Sequence, residues 1–74
     1  MNRYHINLYW SDDDDCWVAN VPDLEPCSAF GDSPQEALSE VQVAIELWLE
    51  TVLAHGWEIP EPRYRPAPRL PVTR

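Results

Sequence analysis

The chain reads as a two-layer α+β domain. A small antiparallel sheet carries one long helix on one face, in the order β-β-β-α-β. Three observations predict this. Residues 3–10 alternate apolar with polar side chains, the period of a strand. The stretch Phe30-Gly31-Asp32-Ser33-Pro34-Gln35-Glu36-Ala37-Leu38 then holds several agreeing signals for a strand turning into a helix. Beyond it, apolar residues recur with a helical period as far as Val52. Strands followed by a single helix that covers one sheet face form two layers around one core.

The first strand sets Tyr4, Ile6, Leu8 and Trp10 against His5, Asn7 and Tyr9. Ser11-Asp12-Asp13-Asp14-Asp15 is a turn, because Asp and Ser side chains bond their own nearby backbone. Cys16 to Val21 returns as the second strand of a hairpin and stops at Pro22, which lacks a ladder donor. Pro22 to Pro26 is an ordered loop. Cys27 to Phe30 is short and compatible with a third strand.

The helix is expected from Pro34 to about His55. Gly31 permits a turn with φ > 0. Ser33 is a good N-cap, Glu36 completes a capping box, and Pro34 occupies the first helical position. Leu38, Val41, Ile45, Trp48 and Val52 form the stripe that faces the sheet, flanked by Ala37, Ala44 and Leu49. Val43 and Leu47 fall away from it. Gly56 suits the C′ position, and His55 in the last turn complements the dipole. Trp57-Glu58-Ile59 alternates and is read as a short edge strand. The other sheet face has no covering element, and Tyr9, Trp17 or Trp10 are expected to line it. An uncovered apolar face on so small a domain predicts self-association, as a dimer or tetramer.

Composition narrows the function. The 74 residues make one small domain with a marginal core. The formal charge of −8 is uneven. Residues 1–60 hold twelve acids and the single base Arg3, net −11, whereas 61–74 hold Glu61 and four Arg, net +3. The domain is therefore read as residues 1–60, followed by a Pro/Arg-rich flexible tail over 61–74. Direct nucleic-acid binding by the acidic body is disfavoured, because phosphate contacts need Lys and Arg. Acidity suits a basic protein partner, or serves solubility alone. There is no signal-peptide pattern and no apolar run long enough to span a membrane, so a cytoplasmic location with Cys16 and Cys27 as free thiols is expected.

No catalytic, metal or cofactor site emerges. A nucleophile needs a base within reach and a group to orient it, and neither His5 nor His55 has a patterned Ser or Cys beside it. Cys16 abuts four Asp residues, whose field raises a thiol pKa rather than activating it. Those four consecutive Asp lack the alternation and Gly of a calcium loop. The tail pattern Arg65-Pro66-Ala67-Pro68-Arg69-Leu70-Pro71 is that of a proline-rich docking ligand, or of a plain basic tail.

Taken in order, several segments resemble the HicB-like antitoxin family. They are the strand Tyr4–Trp10, Trp17-Val18-Ala19 leading to Val21-Pro22-Asp23-Leu24, and Cys27. Gly31 to Leu38, Ala44-Ile45-Glu46-Leu47-Trp48-Leu49, and Gly56 followed by Ile59-Pro60-Glu61-Pro62 complete the pattern. The resemblance implies a fold like a truncated ribonuclease-H domain without nuclease activity. It implies an antitoxin that binds and masks a HicA-type toxin, a small basic ribonuclease acting on messenger RNA. Longer family members add a C-terminal DNA-binding domain, and here a Pro/Arg tail follows Pro62 instead. Pro26 also stands where the family often has Gly. The expected partner contacts are Asp12, Asp13, Asp14, Asp15, Trp17, Glu36, Glu40 and Glu50. The alternative is an oligomeric structural or regulatory protein with a different partner.

Overall fold

The computed structural model describes residues 3–65. Three strands, β1 (Asn7–Ser11), β2 (Cys16–Asn20) and β3 (Ser28–Gly31), form an antiparallel sheet in the order β1-β2-β3. One helix, α1 (Pro34–Ala54), crosses one face of it. Its 21 residues span about 31 Å. The expected α+β order holds for strand, strand, strand and helix.

The register explains which side chains meet. Trp10 pairs Trp17, which pairs Gly31; Tyr9 pairs Val18, which pairs Phe30; Leu8 pairs Ala19, which pairs Ala29. Successive residues of a strand point to opposite faces. Trp17, Ala19 and Ala29 pack toward α1, with Tyr9, Val18 and Phe30 on the open face. The core consists of Ala19, Val21, Leu24, Cys27, Ala37, Val41 and Ile45, with Trp48, Leu49, Tyr4 and Ile6 packed at its edge. Ala19 and Ala37 are fully buried, and these two small residues let sheet and helix approach closely.

The segment joining β2 to β3 folds inward. Pro22–Leu24 form a 3-10 turn closed by Leu24 N–H donating to the Val21 carbonyl at 3.1 Å. Val21 N–H donates to the Cys27 carbonyl at 2.9 Å, and Leu24 fills the space beneath with no exposure. The Glu25–Pro26 peptide is cis.

Both helix ends carry the expected caps, with one difference in each. Ser33 Oγ accepts from Glu36 N–H at 3.1 Å. The Glu36 carboxylate reaches back to Asp32 N–H at 2.6 Å, one residue ahead of the N-cap. At the far end, Gly56 N–H donates to the Leu53 carbonyl at 3.1 Å and Trp57 N–H to Val52 at 3.0 Å. That is the two-bond Schellman arrangement, with Gly56 at φ 70° as its left-handed residue. Because Trp57 completes the cap, the edge strand expected at Trp57-Glu58-Ile59 does not form.

Four further expectations are corrected. Gly31 has no positive φ, and its role is proximity: a Cβ there would collide with the Ala37 backbone nitrogen and lie 2.9 Å from Glu36 Cβ. Leu38 is exposed, because Ala37 takes the buried position over Gly31. Trp10 and Trp17 share the helix side of the sheet, edge to face at 5.8 Å, so they do not line the open face. Lastly, β1 begins at Asn7, and Tyr4 and Ile6 pack on the core from outside the strand.

After the cap the chain returns to the sheet. The Tyr4 hydroxyl donates to the Pro60 carbonyl. Asp23 accepts the N–H groups of Arg63 and Tyr64 at 3.2 and 3.1 Å. The Tyr64 ring lies 4.7 Å from that of His5. Arg63 and Tyr64, within the expected tail over 61–74, are therefore bonded to the 3-10 turn. The rest of that tail, residues 66–74, lies outside the described residues.

Candidate functional site

Acidic side chains gather where the hairpin tip meets the start of α1. Ser11 pairs Cys16, so Asp12 to Asp15 form the loop between β1 and β2. The loop is held by its own side chains. Ser11 Oγ donates to Asp14 Oδ2 at 3.0 Å and accepts from Asp14 N–H at 3.2 Å, and Trp10 Nε1 donates to Asp12 Oδ1 at 2.9 Å. Asp15 closes the loop at φ 54°, a left-handed conformation that Asp tolerates better than branched residues.

Cys16 records the field at this end. Partial burial raises its thiol pKa above the ordinary value, and Asp14, Asp32 and Asp15 raise it further. Asp32 comes from the β3–α1 junction, so two separate stretches of chain place carboxylates around one thiol. Cys27 is also pushed up, by burial alone. Neither thiol has the electropositive surroundings that activate a nucleophile.

The expected contact residues divide accordingly. Asp12, Asp13, Asp14 and Asp15 are exposed at the tip. Glu36 lies at the same end, with one carboxylate oxygen engaged by Asp32 N–H. Glu40 follows one turn along α1. Glu50 is about 21 Å from Glu36 along the axis, at the other end of the helix. Trp17 is half-buried against the core, and Trp10 beside it takes the more exposed place, at 45%. At this end, Asp32 is an acid outside the expected contact set. Its position just before the N-cap signalled the end of a strand, but not that this end adjoins the Asp loop.

A second surface is the open sheet face. Tyr9 and Phe30 are 46% and 54% exposed there, on either side of Val18. Among the described residues no group of three His, Cys, Asp or Glu side chains is placed to hold a metal ion, and no helix is long and apolar enough to cross a membrane. The arrangement is suited to contact with a basic surface through its acidic end.

A family model described as the HicB_like antitoxin of bacterial toxin-antitoxin system matches residues 4–65. A UPF0150 protein of Synechocystis sp. is 39% identical over 44 residues, which cover 60% of this chain and 60% of that protein. A UPF0150 protein of Thermoplasma acidophilum is 37% identical over 49 residues, covering 66% of this chain and 71% of that protein. The chain thus spans about three fifths of the first relative's length. No solved structure matches.

Proposed function

The chain belongs to the HicB-like antitoxin family of bacterial toxin–antitoxin systems, and from that premise we propose that it binds and masks a small basic toxin ribonuclease of the HicA type. The family supports an antitoxin role and a toxin as the class of partner. The observation that carries the finer reading is the charge of the body, −11 over residues 1–60, with acids of the hairpin loop and of the β3–α1 junction gathered at one end.

Masking by such a protein needs no chemistry of its own. An acidic surface steers a basic partner into encounter, and the bound body then excludes RNA from the partner's catalytic groups. Asp12, Asp13, Asp14, Asp15 and Asp32 are the leading contacts in this reading. Glu36 and Glu40 extend the patch along α1, and Trp10 and Trp17 supply an aromatic border. Glu50 lies too far along the helix to join the same patch.

The test begins with the tagged chain purified from its native extract. The co-purifying protein is identified by mass spectrometry and assayed on labelled RNA with and without the chain. The expected result is a small basic protein whose RNA cleavage stops when the chain is added. A partner that cleaves no RNA, or whose cleavage the chain leaves untouched, overturns the reading. The electrostatic part has its own readout, since association should slow by about tenfold or more as salt is raised.

A further inference from the structure

β1 is an outer strand of the sheet, and among the described residues no strand pairs with its second edge. Every second residue of such a strand turns its N–H and C=O outward, a ready template for another strand. Edge strands are commonly blunted by a Lys, a Pro or a bulge. β1 has none of these. It reads Asn-Leu-Tyr-Trp-Ser, and its register with β2 runs without interruption from Asn7 to Ser11. The opposite edge strand, β3, is shorter, and Pro26 and Pro34 stand close to its two ends.

The side chains of β1 are as unprotected as its backbone. α1 packs chiefly on β3 and β2 and reaches β1 only at its margin. Leu8 and Trp10 on the helix side of the sheet, and Tyr9 on the open side, are therefore all exposed. Three consecutive exposed apolar residues on an unpaired strand edge are the pattern of a pairing site rather than of a solvated edge. β1 is also free of charge in a body of net −11 over residues 1–60.

One antiparallel register pairs all of β1 with a second copy of itself, the one centred on Tyr9. It sets Asn7 opposite Ser11 of the second copy, Leu8 opposite its Trp10, and Tyr9 opposite its own counterpart. Leu8 and Trp10 share a face, so apolar meets apolar across the new ladder on the helix side, with a tyrosine pair on the open side. The same register carries each Asp12–Asp15 loop alongside residues 3–6 of the second copy. Arg3, the single base of residues 1–60, is exposed there. Acid thus meets base at both ends of the ladder, and one base against four acids leaves each loop negative toward a basic partner.

We propose that β1 pairs antiparallel with β1 of a second copy of this chain about a two-fold axis at Tyr9. The two three-stranded sheets then continue as one, with both helices on the same side. Such a contact is isologous, so every favourable pair occurs twice. A second copy fits this edge better than a basic partner does, because the edge is uncharged and the acids lie beyond its end in the loop. The contact runs along the strand edge and not across the open face, so Val18 and Phe30 stay outside it. It needs no toxin, and it stands or falls separately from the masking of one.

The test measures mass in solution by light scattering on the purified chain, with circular dichroism to check that each variant folds. The parent is expected at twice the mass of one chain. Tyr9→Lys sets two like charges against each other at the axis and should give the mass of one chain, whereas Phe30→Lys should leave the dimer intact. Cysteine cross-linking reads the register in a Cys16→Ser background. Tyr9→Cys should link to itself under mild oxidation, because directly opposed residues stand about 4.5–5.5 Å apart. Leu8→Cys should not, because its counterpart lies on a diagonal about 7–8 Å away, beyond ordinary disulfide reach. A parent chain that is monomeric, or equal cross-linking by the two cysteines, overturns the proposal. A dimer lost in Phe30→Lys overturns it as well and assigns self-association to the open face.

Discussion

The Asp23 carboxylate accepts the backbone N–H of Tyr64 at 3.1 Å across 41 positions of sequence. A side chain in the 3-10 turn after β2 thereby holds the chain that follows the helix. Arg63 N–H shares the same carboxylate, and the Tyr4 hydroxyl holds Pro60. Without these contacts nothing local would return residues 60–65 to the sheet, because Pro60 and Pro62 offer no N–H for a ladder.

Replacing Asp23 should therefore act on the returning segment more than on the core. Asp23→Ala is expected to lower stability by about 1 kcal/mol, the net worth of a hydrogen bond near the surface. Amide hydrogen exchange at Arg63 and Tyr64 should accelerate while that of Val41 and Ile45 keeps its rank. Protection at Arg63 and Tyr64 equal to that of the parent protein would contradict the role given to Asp23.

Gly31 is a site of contact between β3 and the first turn of α1. Gly31→Ala would drive a methyl group into backbone atoms of Glu36 and Ala37, which cannot swing aside as a side-chain end can. A loss of about 1–3 kcal/mol is expected, the usual cost of overpacking. Urea titration followed by tryptophan fluorescence checks it. An unchanged midpoint would mean that the helix start shifts freely.

Asp15 is the left-handed residue of the hairpin loop, at φ 54°. Asp15→Gly should be neutral or stabilising, because Gly reaches this region without a Cβ penalty. Asp15→Val should destabilise by about 1–2 kcal/mol, the cost of that conformation for an ordinary side chain. Thermal melts of the two variants rank the effects, and Val melting at or above Gly would refute the loop geometry.

Cys16 gives a chemical readout of the acidic end. Asp14→Asn with Asp32→Asn should speed alkylation of Cys16 at about pH 8, because removing two negative charges favours the thiolate. Cys27 should react as before, since burial alone raises its pKa. Equal rates for Cys16 in parent and variant would show that the two carboxylates do not act on the thiol.

Alkaline pH should weaken the fold. Cys27, Cys16 and Tyr4 all have pKa values raised in the folded chain, Tyr4 by burial and then by Asp23. The folded state holds these protons more tightly than the unfolded state. Stability from this source is intact below the ordinary thiol value of 9.0 and is lost as pH rises through the raised folded values. Urea midpoints should hold up to about pH 9 and fall as the pH is raised further. A midpoint that rises instead would reverse the sign.

The sequence by itself determined what depends on neighbours along the chain. Ser33, Pro34 and Glu36 start the helix, Gly56 ends it, the alternation after Tyr4 marks the first strand, and the Asp run makes the turn. Each acts over a few residues through a hydrogen bond or a dihedral preference. Only the tertiary structure decided what depends on register and on distant partners. Pairing of Trp10 with Trp17 and of Trp17 with Gly31 put both tryptophans on the helix side. Packing at Gly31 made Ala37, not Leu38, the buried residue. The Schellman cap took Trp57 away from an edge strand, and Asp32 joined the Asp loop through the fold. A strand pattern gives two faces but not which one meets the helix, because the period is two and either face is available until pairing and packing choose.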